Sequence, residues 1–183
     1  LSSHDVGIDA DVVAREVLAP GEPAVAAVLD RFGASVVADD GTIDRDALGR
    51  IVFADPVALR DLEAIVHPAV RPRIVTMLSA AERDGAPAVV IEAIKLVEGG
   101  LADLVDEVWL VVCDPAVQRD RVSRRGLGAE DVESRITAQA GMADRLRRRA
   151  TRVIDTSGSL AATRGMVERA YDDAVTRRRD RDA

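Results

Sequence analysis

Ala88-Val89-Val90-Ile91-Glu92 is a continuous apolar run that stops on a carboxylate, and its reading decides the fold. An unbroken run of this length, rich in β-branched residues, predicts a strand buried on both faces, as in a parallel sheet. A second run, Val108-Trp109-Leu110-Val111-Val112, follows after a short helical linker. Working outward, Asp5 to Ile8 reads as the end of another short strand and Val153-Ile154 as a last one. Helical patterns fill the rest. Val25, Val28, Leu29 and Phe32 share one face of a helix starting near Glu22. Asp44 is placed to cap a helix carrying Leu48, Ile51 and Val52, and Asp55-Pro56 is a cap and first-turn pair for the next. His67-Pro68 predicts a break there, with a further helix carrying Val70, Ile74, Met77, Leu78 and Ala81. Asp114-Pro115 opens a helix ending near Arg125-Gly126, another begins near Ala129, and Ser157-Gly158-Ser159 leads into a terminal helix. Strands alternating with helices give an α/β class with a parallel sheet.

The chain has 183 residues, 48% of them hydrophobic and only 2% aromatic, so Val, Leu, Ile and Ala must build its core. That length suits a single domain with a small insert. No apolar run is long enough to cross a bilayer. Cys113 is the sole cysteine and cannot form an intrachain disulfide, which makes a cytosolic compartment the default expectation. A net charge of -7 argues against general nucleic-acid binding. Lys95 is the only lysine among 25 basic residues, and many arginines fall after Arg119. The polar residues 177–183 are expected to form a disordered tail.

Two groups of residues carry candidate chemistry. Asp9 and Asp11 flank Ala10 at the C-terminal end of a predicted strand, the edge where open α/β sheets bind ligands. Carboxylates there can take a proton from a substrate hydroxyl and help place a magnesium ion. Either could equally cap the helix that follows. Arg15 lies one helical turn past Asp11, within reach of a phosphate at the same place. Arg119, Arg121, Arg124 and Arg125 crowd one helix, with Arg135 on the next. Arginine forks suit phosphate, although such a run also fits a solvated, salt-bridged surface. Glu92, at a strand end, could serve a metal's water shell or an ion pair.

Taken in order, these segments resemble the dephospho-CoA kinases. The likeness rests on Ile8-Asp9-Ala10-Asp11 with Ala14-Arg15-Glu16-Val17, on Phe32-Gly33 and Asp40-Gly41, and on Arg45 to Phe53 and Leu62 to Pro68. It continues through Glu98 to Val112, Pro115 to Arg125, Arg135-Ile136 with Gln139, and Val153 to Leu160. The resemblance implies a P-loop, nucleoside-monophosphate-kinase-like three-layer α/β domain. It further implies a helical segment over about residues 20–84 covering the CoA substrate, and a lid over about 115–150. The implied reaction moves the γ-phosphate of ATP to the ribose 3′-hydroxyl of dephospho-CoA, with Mg²⁺, in a cytoplasmic monomer or weak oligomer without nucleic-acid or membrane partners. By the same resemblance Asp11 is the general base with Asp9 its neighbour, and Arg15 and His67 lie near the CoA substrate. Arg121 and Arg125 belong to the lid, and Gln139 with Arg135 to the nucleotide side.

The sequence departs from the family in four places. Thr156 stands for a common Asn, and the lid turn after Arg125 is one residue shorter, leaving either Arg124 or Arg125 as the lid contact. The other two are larger. No stretch reads G-x-x-x-x-G-K-[ST], the loop whose backbone N–H groups and Lys hold the donor phosphates. The chain opens on Leu1, and the expectation is of a truncated or mis-set start, with about 20 to 25 further residues supplying a strand, the loop and a helix of a βαβ unit. Without that strand the runs at 88 and 108 are expected to flank an empty slot, and the chain as it stands is expected to fold poorly and to be inactive. Second, Ile94-Lys95-Leu96 stands where the family has Pro-Leu-Leu, so Lys95 is expected to face the cleft and contact substrate or phosphate. A non-catalytic relative that binds CoA or nucleotide is the alternative reading, and a different small-molecule kinase of the same fold a third.

Overall fold

The structure is a computed structural model that describes residues 5–124 and 142–182. All of its strand pairs are parallel, as the apolar runs predict. The chain divides into two compact units, Ser2–Leu104 and Val105–Ala183, each with its own pair of strands.

In the first unit β1 (Val6–Asp9) runs straight into α1 (Ala10–Glu16), and α2 (Pro23–Phe32), α3 (Arg45–Ala54) and α4 (Pro56–Arg83) follow before β2 (Val89–Glu92). β1 pairs with β2 in a register that sets Ile8 beside Ile91 and Asp9 beside Glu92. The caps form as the sequence predicts. Asp44 Oδ1 accepts from the backbone N–H of Asp46 and Ala47, and Asp55 Oδ1 from that of Val57, each satisfying donors that a helix start leaves free. Gly41, at φ 80°, closes the turn after Asp40 in a conformation that side chains with a Cβ rarely adopt. Two apolar clusters result. One gathers Ile8, Val13, Val17, Val70, Ile74 and Leu101, and the other Val28, Val36, Ile43, Leu48, Val52 and Ala58.

α4 belongs to both clusters, and it corrects the expected break at His67-Pro68. The helix runs unbroken for 28 residues with Pro68 and Pro72 inside it. Each internal proline removes a hydrogen bond and crowds the preceding turn, at a cost of about 3 kcal/mol. Packing opposes that cost. Val66, Val70 and Ile74 recur every fourth residue on one face, and Val70 and Ile74 are buried to 6% and 0% exposure. Each buried side chain of this kind contributes roughly 1.5–3 kcal/mol. Thr76 Oγ1 also donates to the Pro72 carbonyl at 3.0 Å, one turn back along the helix.

The strands are also less enclosed than their apolar runs predict. Val90 is 40% exposed and Val111 62%. In the first unit α1 packs on β2 and α4 on β1, burying Ile8, while the face carrying Val90 stays open. A ladder of two strands covered on one side buries only alternate residues, whatever the run between them.

In the second unit β3 (Trp109–Val112) pairs with β4 (Arg152–Asp155), and α5 (Pro115–Ser123), α6 (Met142–Arg147) and α7 (Leu160–Asp182) complete the described elements. Arg152 anchors this unit. Its guanidinium donates to both Glu107 oxygens at 2.6 and 3.0 Å, pairs with Asp173 at 2.7 Å and lies over the Trp109 ring. That hydrogen-bonded cation, first of all, holds the Glu107 carboxyl below the usual carboxylate range. Residues 177–182, expected as a disordered tail, instead continue α7. Arg177 pairs with Asp173 one turn earlier and reaches Glu107, so the terminal turns are tied to the same ion cluster.

Candidate active site

The chain passes from strand to helix at Asp9, and that junction sorts the two aspartates. Asp9 is the N-cap of α1: its Oδ1 accepts from the backbone N–H of Asp11 at 2.8 Å and of Val12 at 3.1 Å. The capping reading therefore holds for Asp9, one of whose oxygens is engaged with the backbone. Asp11 sits in the first helical turn, exposed, and its carboxylate has no partner among the described residues. Arg15, one turn on, is exposed and makes no ion pair among them either. Glu92 stands beside Asp9 across the ladder and is also exposed.

Asp11 lines a pocket of about 140 Å³ together with His67 and Lys95, so three predicted site residues meet in one place. Ala14 from α1 and Val66 and Val70 from α4 supply its apolar wall, and Leu101 lines it from the segment after β2. The volume lies below the 300–1,000 Å³ of a site that encloses a whole cofactor-sized molecule. It suits one group of such a ligand.

The segment 93–101 forms one side of this pocket, and Glu63 and Arg71 of α4 fasten it. Glu63, His67 and Arg71 are four residues apart and share a helix face. Glu63 pairs with Lys95 Nζ, and Arg71 Nη1 donates to the Gly100 carbonyl. Between them a Cβ on Gly99 would lie 2.9 Å from the Lys95 carbonyl and 3.9 Å from the His67 ring, so glycine is needed where the loop closes on the helix. The Gly99 N–H donates to the Lys95 carbonyl at 2.7 Å, and Gly100 turns the chain at φ 69°. Glu63, Arg71 and the two glycines are neighbours of these residues that reading the sequence missed. The 63-67-71 spacing marks the shared face, but their partners lie about thirty residues away.

In the other unit Arg121 donates to Thr156 through both its terminal nitrogens, to the hydroxyl at 3.1 Å and to the backbone carbonyl at 2.5 Å. This ties α5 to the residue that follows β4. Arg124 pairs with Asp120 one turn back at 3.0 Å, as a charged helix surface does. Arg125, Arg135 and Gln139 lie outside the described residues. No group of three His, Cys, Asp or Glu side chains able to hold a metal ion is found among the described residues. No helix among them is long and apolar enough to cross a membrane.

A family model for dephospho-CoA kinase matches residues 3–162. A dephospho-CoA kinase of Geobacter metallireducens is 48% identical over 136 residues, 74% of this chain and 68% of its own length. One from Symbiobacterium thermophilum is 48% identical over 133 residues, 72% of this chain and 56% of its own. The matched stretch thus spans between about half and two thirds of these relatives. The crystal structure of TT1252 from Thermus thermophilus superposes with a TM-score of 0.72 at 32% identity, covering 92% of this chain and 84% of that one.

Proposed function

The chain belongs to the dephospho-CoA kinase family, and on that premise we propose that the full-length protein phosphorylates dephospho-CoA with ATP. The γ-phosphate goes to the ribose 3′-hydroxyl, giving CoA and ADP. The observation that carries this reading is the exposed carboxylate of Asp11 in the first turn after β1, lining a pocket shared with His67 and Lys95.

In this reading Asp11 is the general base. It accepts the 3′-hydroxyl proton as the new oxygen–phosphorus bond forms. The bond from Pγ to the β,γ-bridging oxygen breaks, and ADP leaves with that oxygen. Asp9 holds the first turn of α1 in place, which fixes where Asp11 stands. Arg15, His67 and Lys95 contact the acceptor, with the cations placed for its phosphates. Arg121 is assigned to the lid over the donor, with Arg125, and Arg135 and Gln139 to the donor nucleotide. Magnesium belongs to the same proposal. Such an ion takes one or two carboxylates and fills its shell with water and phosphate oxygens. Asp9 and Asp11 would be its protein ligands, and it would offset charge on the phosphates.

Incubating the full-length protein with γ-labelled ATP, magnesium and dephospho-CoA tests the proposal. Label is expected in CoA as a 3′-phosphate, at turnover on the order of the 1–100 s⁻¹ seen for kinases. Binding of dephospho-CoA without any transfer of label would leave a binding protein instead.

A further inference from the structure

Lys95 is held where it is by an unusual set of contacts for a single exposed-loop cation. Its side chain is 39% exposed and that of Glu63 24%, so the pair is partly screened by water. The loop bearing Lys95 has little freedom to turn away. It is closed on itself by the Gly99 N–H to Lys95 carbonyl bond and the Leu101 N–H to Leu96 carbonyl bond at 2.9 Å, and the Arg71 guanidinium holds it at Gly100. The same Lys95 lines the pocket with Asp11 and His67. An ammonium at a pocket mouth carries one charge, and a carboxylate already bound to it opposes any second anion arriving there.

From this arrangement we infer that Glu63 is a built-in competitor for Lys95: the acceptor's diphosphate must displace the Glu63 carboxylate to reach the ammonium, so Glu63 sets acceptor affinity. The inference rests on the assignment of this pocket to the acceptor. Glu63 is thus a positioning residue. It holds the Lys95 ammonium when no ligand is bound, and it weakens the anion contact when one is. A purely structural ion pair has the opposite signature, because removing one partner then only loosens the site.

Calorimetric titration of the full-length protein with dephospho-CoA, and separately with adenosine, reads the sign. Glu63→Gln is expected to tighten dephospho-CoA binding about two- to fivefold, within the range of partly exposed ion pairs, and to leave adenosine binding unchanged. The gain should shrink at high salt. Lys95→Met is expected to weaken dephospho-CoA binding about three- to tenfold, in line with losing one charge-assisted contact. In that background Glu63→Gln should have no further effect. If Glu63→Gln lowers the melting temperature, Glu63→Asp, which withdraws the carboxylate from Lys95, carries the same expectation. Unchanged or weaker binding in the folded Glu63 variants, or equal tightening without Lys95, overturns the inference while leaving the acceptor site intact. A wild-type protein that does not bind dephospho-CoA overturns the acceptor assignment itself, and the inference with it.

Discussion

Asp11→Asn is expected to lower kcat by about 10²- to 10⁴-fold, the usual share of a positioned general base. The KM for dephospho-CoA should stay within about threefold, because asparagine keeps the size of the side chain at the pocket rim. Stability should change little, since the Asp11 carboxylate has no partner among the described residues. Only its favourable place in the first turn of α1 is given up, worth about 0.3–1 kcal/mol. Asp9 provides the contrast. Asp9→Ala removes the bonds to the N–H groups of Asp11 and Val12 and should cost about 1 kcal/mol of stability, whereas Asp9→Asn can still cap the helix. Steady-state kinetics with both variants separates the roles. A kcat for Asp11→Asn within threefold of wild type would remove Asp11 from the chemistry.

The second large effect concerns the helix that backs the pocket. Ile74→Ala should destabilise the protein by about 2–5 kcal/mol, because Ile74 has 0% exposure and lies in the cluster with Ile8, Val13, Val17 and Leu101. In a chain of this size that corresponds to a fall in melting temperature of roughly 5–15 °C. Val70 belongs to the same cluster and lines the pocket, so acceptor binding should weaken alongside. Val57, on the same helix but 50% exposed, is the control, and Val57→Ala should stay within about 0.5 kcal/mol of wild type. A thermal shift below about 2 °C for Ile74→Ala would mean that the Val66-Val70-Ile74 face does not hold the unit together.

These two effects mark what the sequence does and does not reveal. Local chemistry is legible. Asp44, Asp55 and Asp114 each precede a helix and each caps it, as their residue type and the Pro56 and Pro115 that follow announce. Parallel pairing was legible too, in apolar runs that end on carboxylates. The continuity of α4 was not, because Pro68 and Pro72 argue locally for a break and only the burial of Val70 and Ile74 overrides them. Exposure of Val90 and Val111 was equally hidden, since a run of valines reads the same whether one or both faces are covered. Within the site, Asp11, His67 and Lys95 were each picked out separately, and the structure brings them to one pocket. The Glu63–Lys95 pair and the Arg71–Gly100 bond could not be foreseen, because each joins residues about thirty positions apart through the tertiary fold.

The central claim is that this pocket receives the acceptor with its reacting hydroxyl at Asp11. Determining the structure of the full-length protein with dephospho-CoA bound tests it most directly. The expected result places the ribose 3′-oxygen about 2.6–3.2 Å from an Asp11 carboxylate oxygen, with Lys95 turned to the diphosphate. A bound acceptor whose 3′-hydroxyl lies against other residues, with Asp11, His67 and Lys95 untouched, would contradict it.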